Sequence, residues 1–178
     1  MVFSFSVESD HLEEIIIIGG GVAGLTCLNA LVDQGFSPLL IEGGTIGTPK
    51  MCGEFIAPMA VQHLQNWEIG PITPISRVDF YTQKNQMHIQ FSNLAGAVSR
   101  AEVENQLAAR AKRLGGRIRE NTYLQHTTPA TDSAPYRFEF STGEVVEAKS
   151  AFFATGKCGH DVEQRETITP YHGIKLHF

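Results

Sequence analysis

The sequence has little positive charge and no run of like charges. Its 14 Lys and Arg residues are outnumbered by 19 Asp and Glu residues, so the formal net charge is -5. Nucleic-acid phosphates attract basic surfaces, and an acidic chain without a basic patch is not expected to bind DNA or RNA. With 178 residues, 42% of them hydrophobic and 19% charged, the chain has the composition of one folded domain with a sizeable core.

Cysteines and long apolar runs are also scarce. The cysteines, Cys27, Cys52 and Cys158, are odd in number and form no CxxC pair, which argues against a zinc site or a disulfide framework and favours a reducing compartment. The histidines show no metal-ligand spacing, so no metal is assigned. The longest aliphatic run, residues 15–18, is too short to cross a bilayer, and residues 1–14 lack the pattern of a signal peptide. We therefore expect a cytoplasmic protein with no membrane segment in this chain.

The region after the polar N-terminal residues predicts a strand, a helix and a second strand. Residues 15–18 are four consecutive isoleucines bounded by glycine, which is typical of a buried parallel strand. Apolar residues then recur at helical spacing over 25–32, and Gly35 is placed to end that helix. Residues 37–41 predict a second strand that is followed by the acid Glu42. The pattern indicates a βαβ unit with very short connections.

A glycine motif of the GxGxxG type, Gly19, Gly21 and Gly24, joins the first strand to the helix. The first glycine permits the tight turn, the second lets the backbone approach a pyrophosphate, and the third permits close packing of helix on strand. The first turn of the helix, with Val22 and Ala23, then offers unpaired N–H groups and the positive end of the helix dipole to phosphates. The spacing predicts a dinucleotide site.

Glu42 lies 18 residues after Gly24, where a carboxylate can accept hydrogen bonds from a ribose diol. A negative charge there would repel a 2′-phosphate, so NADP is not expected at this position. The unit alone does not distinguish NAD from FAD, and the alternative interpretation is a glycine turn beside a surface glutamate. A P-loop is excluded because no Gly-Lys-Ser or Gly-Lys-Thr sequence follows.

The rest of the chain continues an α/β pattern. We expect a loop at 43–55, helices at 58–67 and 101–114, strands at 77–82, 86–91 and 117–120, an antiparallel meander at 123–126, 136–140 and 145–148, and a buried strand at 151–154. The expected fold is therefore α/β: a Rossmann-type FAD/NAD(P)-binding domain, with a parallel sheet, flanking helices and a small antiparallel β-meander.

Several segments resemble known flavoproteins. Residues 15–42 resemble the N-terminal FAD fingerprint of the glutathione-reductase type. The segment 50–58, KMCGEFIAP, is similar to the KxCGxxxxP segment of geranylgeranyl reductases, which share a group with flavin halogenases and p-hydroxybenzoate-type hydroxylases. Residues 99–116 resemble the RaxLdxxL…G helix of that group, and 152–156 resemble its second, ATG-type motif.

The resemblance implies roles for further residues. It places Cys52 and Gly53 near the flavin ring and Arg100 at the pyrophosphate. A guanidinium at the start of a helix can pair with phosphate, although a solvated arginine is the alternative. Thr155 and Gly156 end a predicted strand, where a bare backbone can approach a ligand, or where an ordinary turn can lie. For Cys52 a packing role is preferred to a reactive thiol, because only Lys50 lies nearby to lower its pKa.

The resemblance also implies a function and a domain division. It predicts an FAD-binding domain over 1–170 and the start of a substrate domain at 171–178, and it leads us to expect an incomplete flavin site because the family's Gly-Asp-Ala segment does not occur here. The implied activity is FAD-dependent redox chemistry on a small organic substrate, either reduction of a prenyl chain or hydroxylation of an aromatic ring, with NAD(P)H as a transient electron donor. The alternatives are a nucleotide-binding module without turnover and an NAD-dependent dehydrogenase. No catalytic acid or base and no oligomeric state are predicted.

Overall fold

The structure, a computed structural model, describes residues 12–50 and 52–156. The start of a second domain expected at 171–178 lies outside the described residues. The elements run in the order β1 (Leu12–Ile18), α1 (Val22–Asp33), β2 (Leu39–Ile41), β3 (Phe55–Ile56), α2 (Pro58–Asn66), β4 (Thr73–Tyr81), β5 (Gln86–Ala97), α3 (Arg100–Arg113), β6 (Arg117–Arg119), β7 (Leu124–Thr128), β8 (Tyr136–Phe140) and β9 (Val145–Phe153).

The larger sheet has six strands in the order β6-β2-β1-β9-β8-β7. The first four are mutually parallel, and β8 and β7 continue the sheet as the expected antiparallel meander. Strand β1 lies between β2 and β9, so the carboxyl ends of these three strands meet at one edge. In open α/β sheets ligands bind in the crevice at such a point. The Rossmann-type fold predicted from the sequence is confirmed.

Both faces of β1 are buried, which explains its uninterrupted apolar sequence. On one face Ile17 packs in a core with α1 and α3, including Leu25 and Leu107. On the other face Ile16 and Ile18 pack in a second core with β2 and with the rings of β8. Because α1 and α3 cover the same face, the first residues of the two helices can take part in one site at the carboxyl edge.

The second sheet has three strands in the order β3-β5-β4 and lies beside α2. The expected hairpin is present, but β4 and β5 are longer than predicted, and the last residue of the expected loop at 43–55 belongs to β3. Apolar and polar residues alternate over 78–80 and 87–91, but this pattern does not continue through 73–76 and 92–97, so the sequence does not mark those ends of the two strands. The strand lengths are set by pairing between Thr73 and Ala97 at one end and Tyr81 and Gln86 at the other.

One predicted division of the chain is wrong. The strands expected at 145–148 and 151–154 are a single strand, β9, which pairs with β1 along its length and with β8 over its first half. The polar residues Lys149 and Ser150 suggested a break, but backbone pairing to β1 continues through them. The end of β9 is also not buried as expected, because Phe152 and Phe153 are 45% and 52% exposed.

Candidate cofactor site

The glycine loop ties three strand ends together. The N–H of Gly19 donates to the carbonyl of Ile41 at 2.8 Å, and the N–H of Ala154 donates to the carbonyl of Ile18 at 2.7 Å. Gly19 has φ +111°, and a Cβ there would lie 2.5 Å from the carbonyl oxygen of Ala154. A side chain at this position would therefore separate the end of β9 from the loop, and glycine is needed for both its conformation and its size.

Gly24 brings helix α1 into direct contact with that loop. A Cβ on Gly24 would overlap the carbonyl oxygen of Gly19 and would lie 3.3 Å from the Cβ of Ala154. The role expected from the motif, close packing of the helix on the strand end, is the role that the structure gives this residue.

Gly21 is the N-cap of α1 and lies in the wall of a cavity, next to the Arg100 side chain. Its φ of -76° is accessible to any residue, and its cap lacks a side-chain hydrogen bond. A Cβ there would meet only side-chain atoms among the described residues, at 3.3 Å from Nη2 of Arg100 and 3.9 Å from Oε1 of Glu104. The first N–H groups of a helix have no intrahelical partner, so the start of α1, with Val22 and Ala23, presents donors and a positive dipole end here.

Glu42, directly after β2, reaches across to the glycine loop. Its Oε2 accepts a hydrogen bond from the N–H of Gly20 at 2.5 Å, and its Oε1 accepts one from the N–H of Gly44 at 3.0 Å. A Cβ on Gly20 would lie 2.8 Å from the Cβ of Glu42. Gly20 was not singled out from the sequence, although the run of three glycines is a signal that could have identified it. Each carboxylate oxygen keeps a further lone pair for a ligand.

Arg100 is the first residue of α3, and the fold brings it to the start of α1, 79 residues earlier in the chain. Its Nε donates to Oε1 of Glu104 at 2.7 Å, and its side chain is 31% exposed. It is therefore not the freely solvated arginine that the sequence left open as an alternative. Glu104 is a site residue that sequence reasoning missed, although its spacing of four residues from Arg100 on a helix was a usable signal.

A cavity of about 790 Å³ opens between the start of α1, helix α2, strand β3 and the start of α3. Gly21 and Arg100 stand in its wall, and most of the remaining wall is apolar. The further lining residues include Val22, Ala23, Thr26, Cys52, Phe55, Ile56, His63, Leu64, Trp67, Val98 and Gly156. A charged, donor-rich wall beside an apolar chamber suits a ligand that has both an anionic part and a flat apolar part.

The structure brings some of the other predicted residues to this cavity and leaves others outside it. Half-buried Cys52 lines the cavity, and its Sγ accepts a hydrogen bond from the N–H of Glu54 at 3.4 Å. Gly156 also lines it, with φ +70°. Gly53 and Thr155 are exposed and are absent from the lining residues that the structure describes.

Of the other two cysteines, Cys27 is not among the residues that line this cavity. Cys27 packs against the core shared by α1 and α3, and burial raises the pKa of its thiol, so it is less reactive than a free cysteine. Cys158 lies outside the described residues.

Comparison with known sequences gives one short match. A 63-residue stretch, 35% of this chain, is 35% identical to a squalene epoxidase of Gibberella zeae and covers 13% of that protein. No protein-family model matches the sequence.

Comparison with solved structures is more extensive. The p-nitrophenol 4-monooxygenase PnpA of Pseudomonas putida matches over 82% of this chain with a TM-score of 0.71 and 15% identity. The myxobacterial FAD-dependent halogenase CndH matches over 84% with a TM-score of 0.71 and 18% identity, and the flavin-dependent brominase Bmp2 over 83% with a TM-score of 0.71 and 19% identity. The chain has the fold that these three enzymes share.

The chain covers less than half the length of each of these three enzymes. The chain spans 41% of PnpA, 38% of CndH and 39% of Bmp2. No helix in the described ranges is long and apolar enough to cross a membrane.

Proposed function

We propose that this chain binds FAD at the carboxyl edge of the six-stranded sheet, with the diphosphate at the start of α1. The observation that carries the proposal is the meeting of three features at one cavity wall: the N-terminus of α1, the bare backbone of Gly21, and the Arg100 guanidinium. A helix N-terminus and an arginine together supply the backbone donors and the fork of charged donors that phosphates accept.

The adenosine ribose is assigned to Glu42. Its carboxylate is held at the loop by the N–H groups of Gly20 and Gly44, so it is already oriented before a ligand arrives. Its remaining lone pairs can accept hydrogen bonds from the two ribose hydroxyls. The same negative charge disfavours a nucleotide with a 2′-phosphate.

The flavin ring is assigned to the apolar part of the cavity. Phe55, Ile56 and Val98 are apolar residues of the cavity wall, and Cys52 also lines the cavity. The role proposed for Cys52 is to pack in this wall rather than to react. FAD, when bound, supplies the hydride or electron chemistry, and the protein supplies binding, orientation and exclusion of water.

The activity proposed for the whole protein is flavin-dependent redox chemistry on a small organic substrate. The solved neighbours with this fold include a monooxygenase and halogenases, and the short sequence match is to an epoxidase. Within that range we keep the reduction of a prenyl chain and the hydroxylation of an aromatic ring as candidate reactions, with NAD(P)H as the electron donor. A nucleotide-binding module without turnover is the alternative.

A direct test is to incubate the purified protein with FAD, remove free ligand by gel filtration and record the visible spectrum. We expect a flavin spectrum that bleaches on addition of a reductant. A colourless protein that binds NADH in the same assay would replace FAD with NAD and would favour a dehydrogenase.

We expect Glu42→Ala to weaken FAD binding by about 1–3 kcal/mol, the contribution of charge-assisted hydrogen bonds to the ribose. Titration of FAD, followed by flavin fluorescence, measures the change. Glu42→Ala also removes the acceptor for the N–H groups of Gly20 and Gly44. Glu42→Gln is the matched control, because it keeps one acceptor oxygen and the side-chain volume. We expect an intermediate affinity for this control. Equal dissociation constants for all three proteins would make Glu42 a purely structural acid.

A further inference from the structure

Helix α3 contains a carboxylate that is wholly removed from solvent. Glu104 is 0% exposed, and its Oε1 accepts the hydrogen bond from Nε of Arg100 at 2.7 Å. Its Oε2 has no hydrogen-bond partner among residues 12–50 and 52–156. Removing a carboxylate from water costs several kcal/mol unless it is paired and fully hydrogen-bonded. A half-satisfied carboxylate in a core is therefore a feature that stability alone does not explain.

The position of the Arg100–Glu104 pair gives a better explanation for the burial of this carboxylate. A Cβ on Gly21 would lie 3.3 Å from Nη2 of Arg100 and 3.9 Å from Oε1 of Glu104, so the pair lies against the N-cap of α1. Glu104 uses the Nε of the arginine, and within the described part of the chain neither Nη atom donates to a protein acceptor. The two Nη groups are the pair of parallel donors that a phosphate accepts.

An exposed pair of this spacing on a helix would stabilise it only slightly and would leave both side chains free to move. Burial of the carboxylate removes that freedom from one partner and restricts the other. A long arginine side chain otherwise loses rotamer entropy when a ligand immobilises it. Fixing it before the ligand binds transfers that cost from the binding step to folding.

We propose that Glu104 is a positioning residue, which holds the Arg100 guanidinium over Gly21 with both Nη groups available to the diphosphate of the bound nucleotide. This rests on the proposed function, since it presupposes a diphosphate at the start of α1. It also implies that Arg100 and Glu104 together carry no net charge, so orientation rather than net attraction would provide their contribution.

The test uses the affinity for ADP, measured by calorimetry, in a cycle of variants. Glu104→Leu removes the acceptor for Nε and should lower ADP affinity about tenfold, as expected for loss of one charge-assisted contact. Glu104→Gln keeps an acceptor at nearly the same place and should stay within about threefold of wild type. In the Arg100→Ala background, Glu104→Leu should cause no further loss, because the residue acts through the arginine.

Urea unfolding of each variant without ligand separates positioning from folding. Replacing a buried, half-paired carboxylate by an apolar residue is often neutral or stabilising, so Glu104→Leu is expected to fold. If it does not, Glu104→Met takes its place in the same cycle, because methionine also lacks the acceptor oxygen but matches the length of glutamate, and the same losses are expected. Unchanged or tighter ADP binding by Glu104→Leu, or an equal loss in both backgrounds, would overturn the inference. Failure of the wild-type protein to bind ADP or FAD would instead overturn the proposed function.

Discussion

Gly24→Ala should destabilise the fold by about 3 kcal/mol or more, the upper part of the range for overpacking a core. The added methyl would overlap the carbonyl oxygen of Gly19 and press on the Cβ of Ala154. Both are close to the backbone of strand ends that are joined by hydrogen bonds, so neither can move aside cheaply. Helix propensity alone predicts the opposite effect, since alanine stabilises a helix interior by about 1 kcal/mol relative to glycine.

Urea unfolding followed by circular dichroism measures this effect. Gly53→Ala is the matched control, because the same methyl at that exposed position meets no described atom within 4 Å. We expect the control to lie within about 0.5 kcal/mol of wild type, as for most surface substitutions. A Gly24→Ala protein as stable as the control would show that α1 does not pack on the glycine loop as described.

Gly21→Val should abolish FAD binding, with a loss of about 100-fold or more, while the chain still folds. The backbone of Gly21 is extended, and the only described atoms near an added Cβ belong to the side chains of Arg100 and Glu104. The valine would therefore stand in the space over the first turn of α1, where the diphosphate is proposed to bind. Loss of glycine as N-cap itself costs the helix only about 1 kcal/mol.

Circular dichroism measures whether this variant is folded, and flavin absorbance measures whether it has bound FAD. Thr26→Val is the matched control: it introduces the same side chain into the wall of the same cavity, one turn further along α1. We expect FAD affinity within about twofold of wild type for this control, since Thr26 lies away from the helix N-terminus that is proposed to hold the phosphates. If Gly21→Val remains yellow and Thr26→Val does not, the ligand lies along the side of α1 and not at its start.

The β1-α1-β2 unit could be predicted from the sequence because local chemistry determines it. A β-branched run, a glycine motif and helical spacing lie next to one another, and the observed strand and helix follow them closely. The third helix could also be predicted from the sequence, since α3 begins only one residue before its predicted start. The length of β9, by contrast, depends on tertiary pairing. Lys149 and Ser150 are polar and suggest the end of a strand, but pairing with β1 continues the strand through them.

The site was only partly accessible to sequence reasoning. Gly19, Gly21, Gly24 and Glu42 belong to one continuous motif, whereas Arg100 entered only through a resemblance, because nothing local shows that α3 starts beside α1. Glu104 was missed for a physical reason. An acidic residue on a polar helix is normally solvated, and only the packing of α3 against α1 shows that this one is buried.

Competition between ADP and FAD shows whether this chain holds FAD through its diphosphate and adenosine half. The charged groups assigned to the ligand, Arg100, Glu42 and the positive end of the α1 dipole, address that half of the molecule. ADP should therefore displace FAD from the wild-type protein at a concentration within about tenfold of the FAD dissociation constant, because most of the binding free energy comes from the part they share. FMN, which lacks the adenosine and the diphosphate, should not displace it. Displacement by FMN without displacement by ADP would contradict the account.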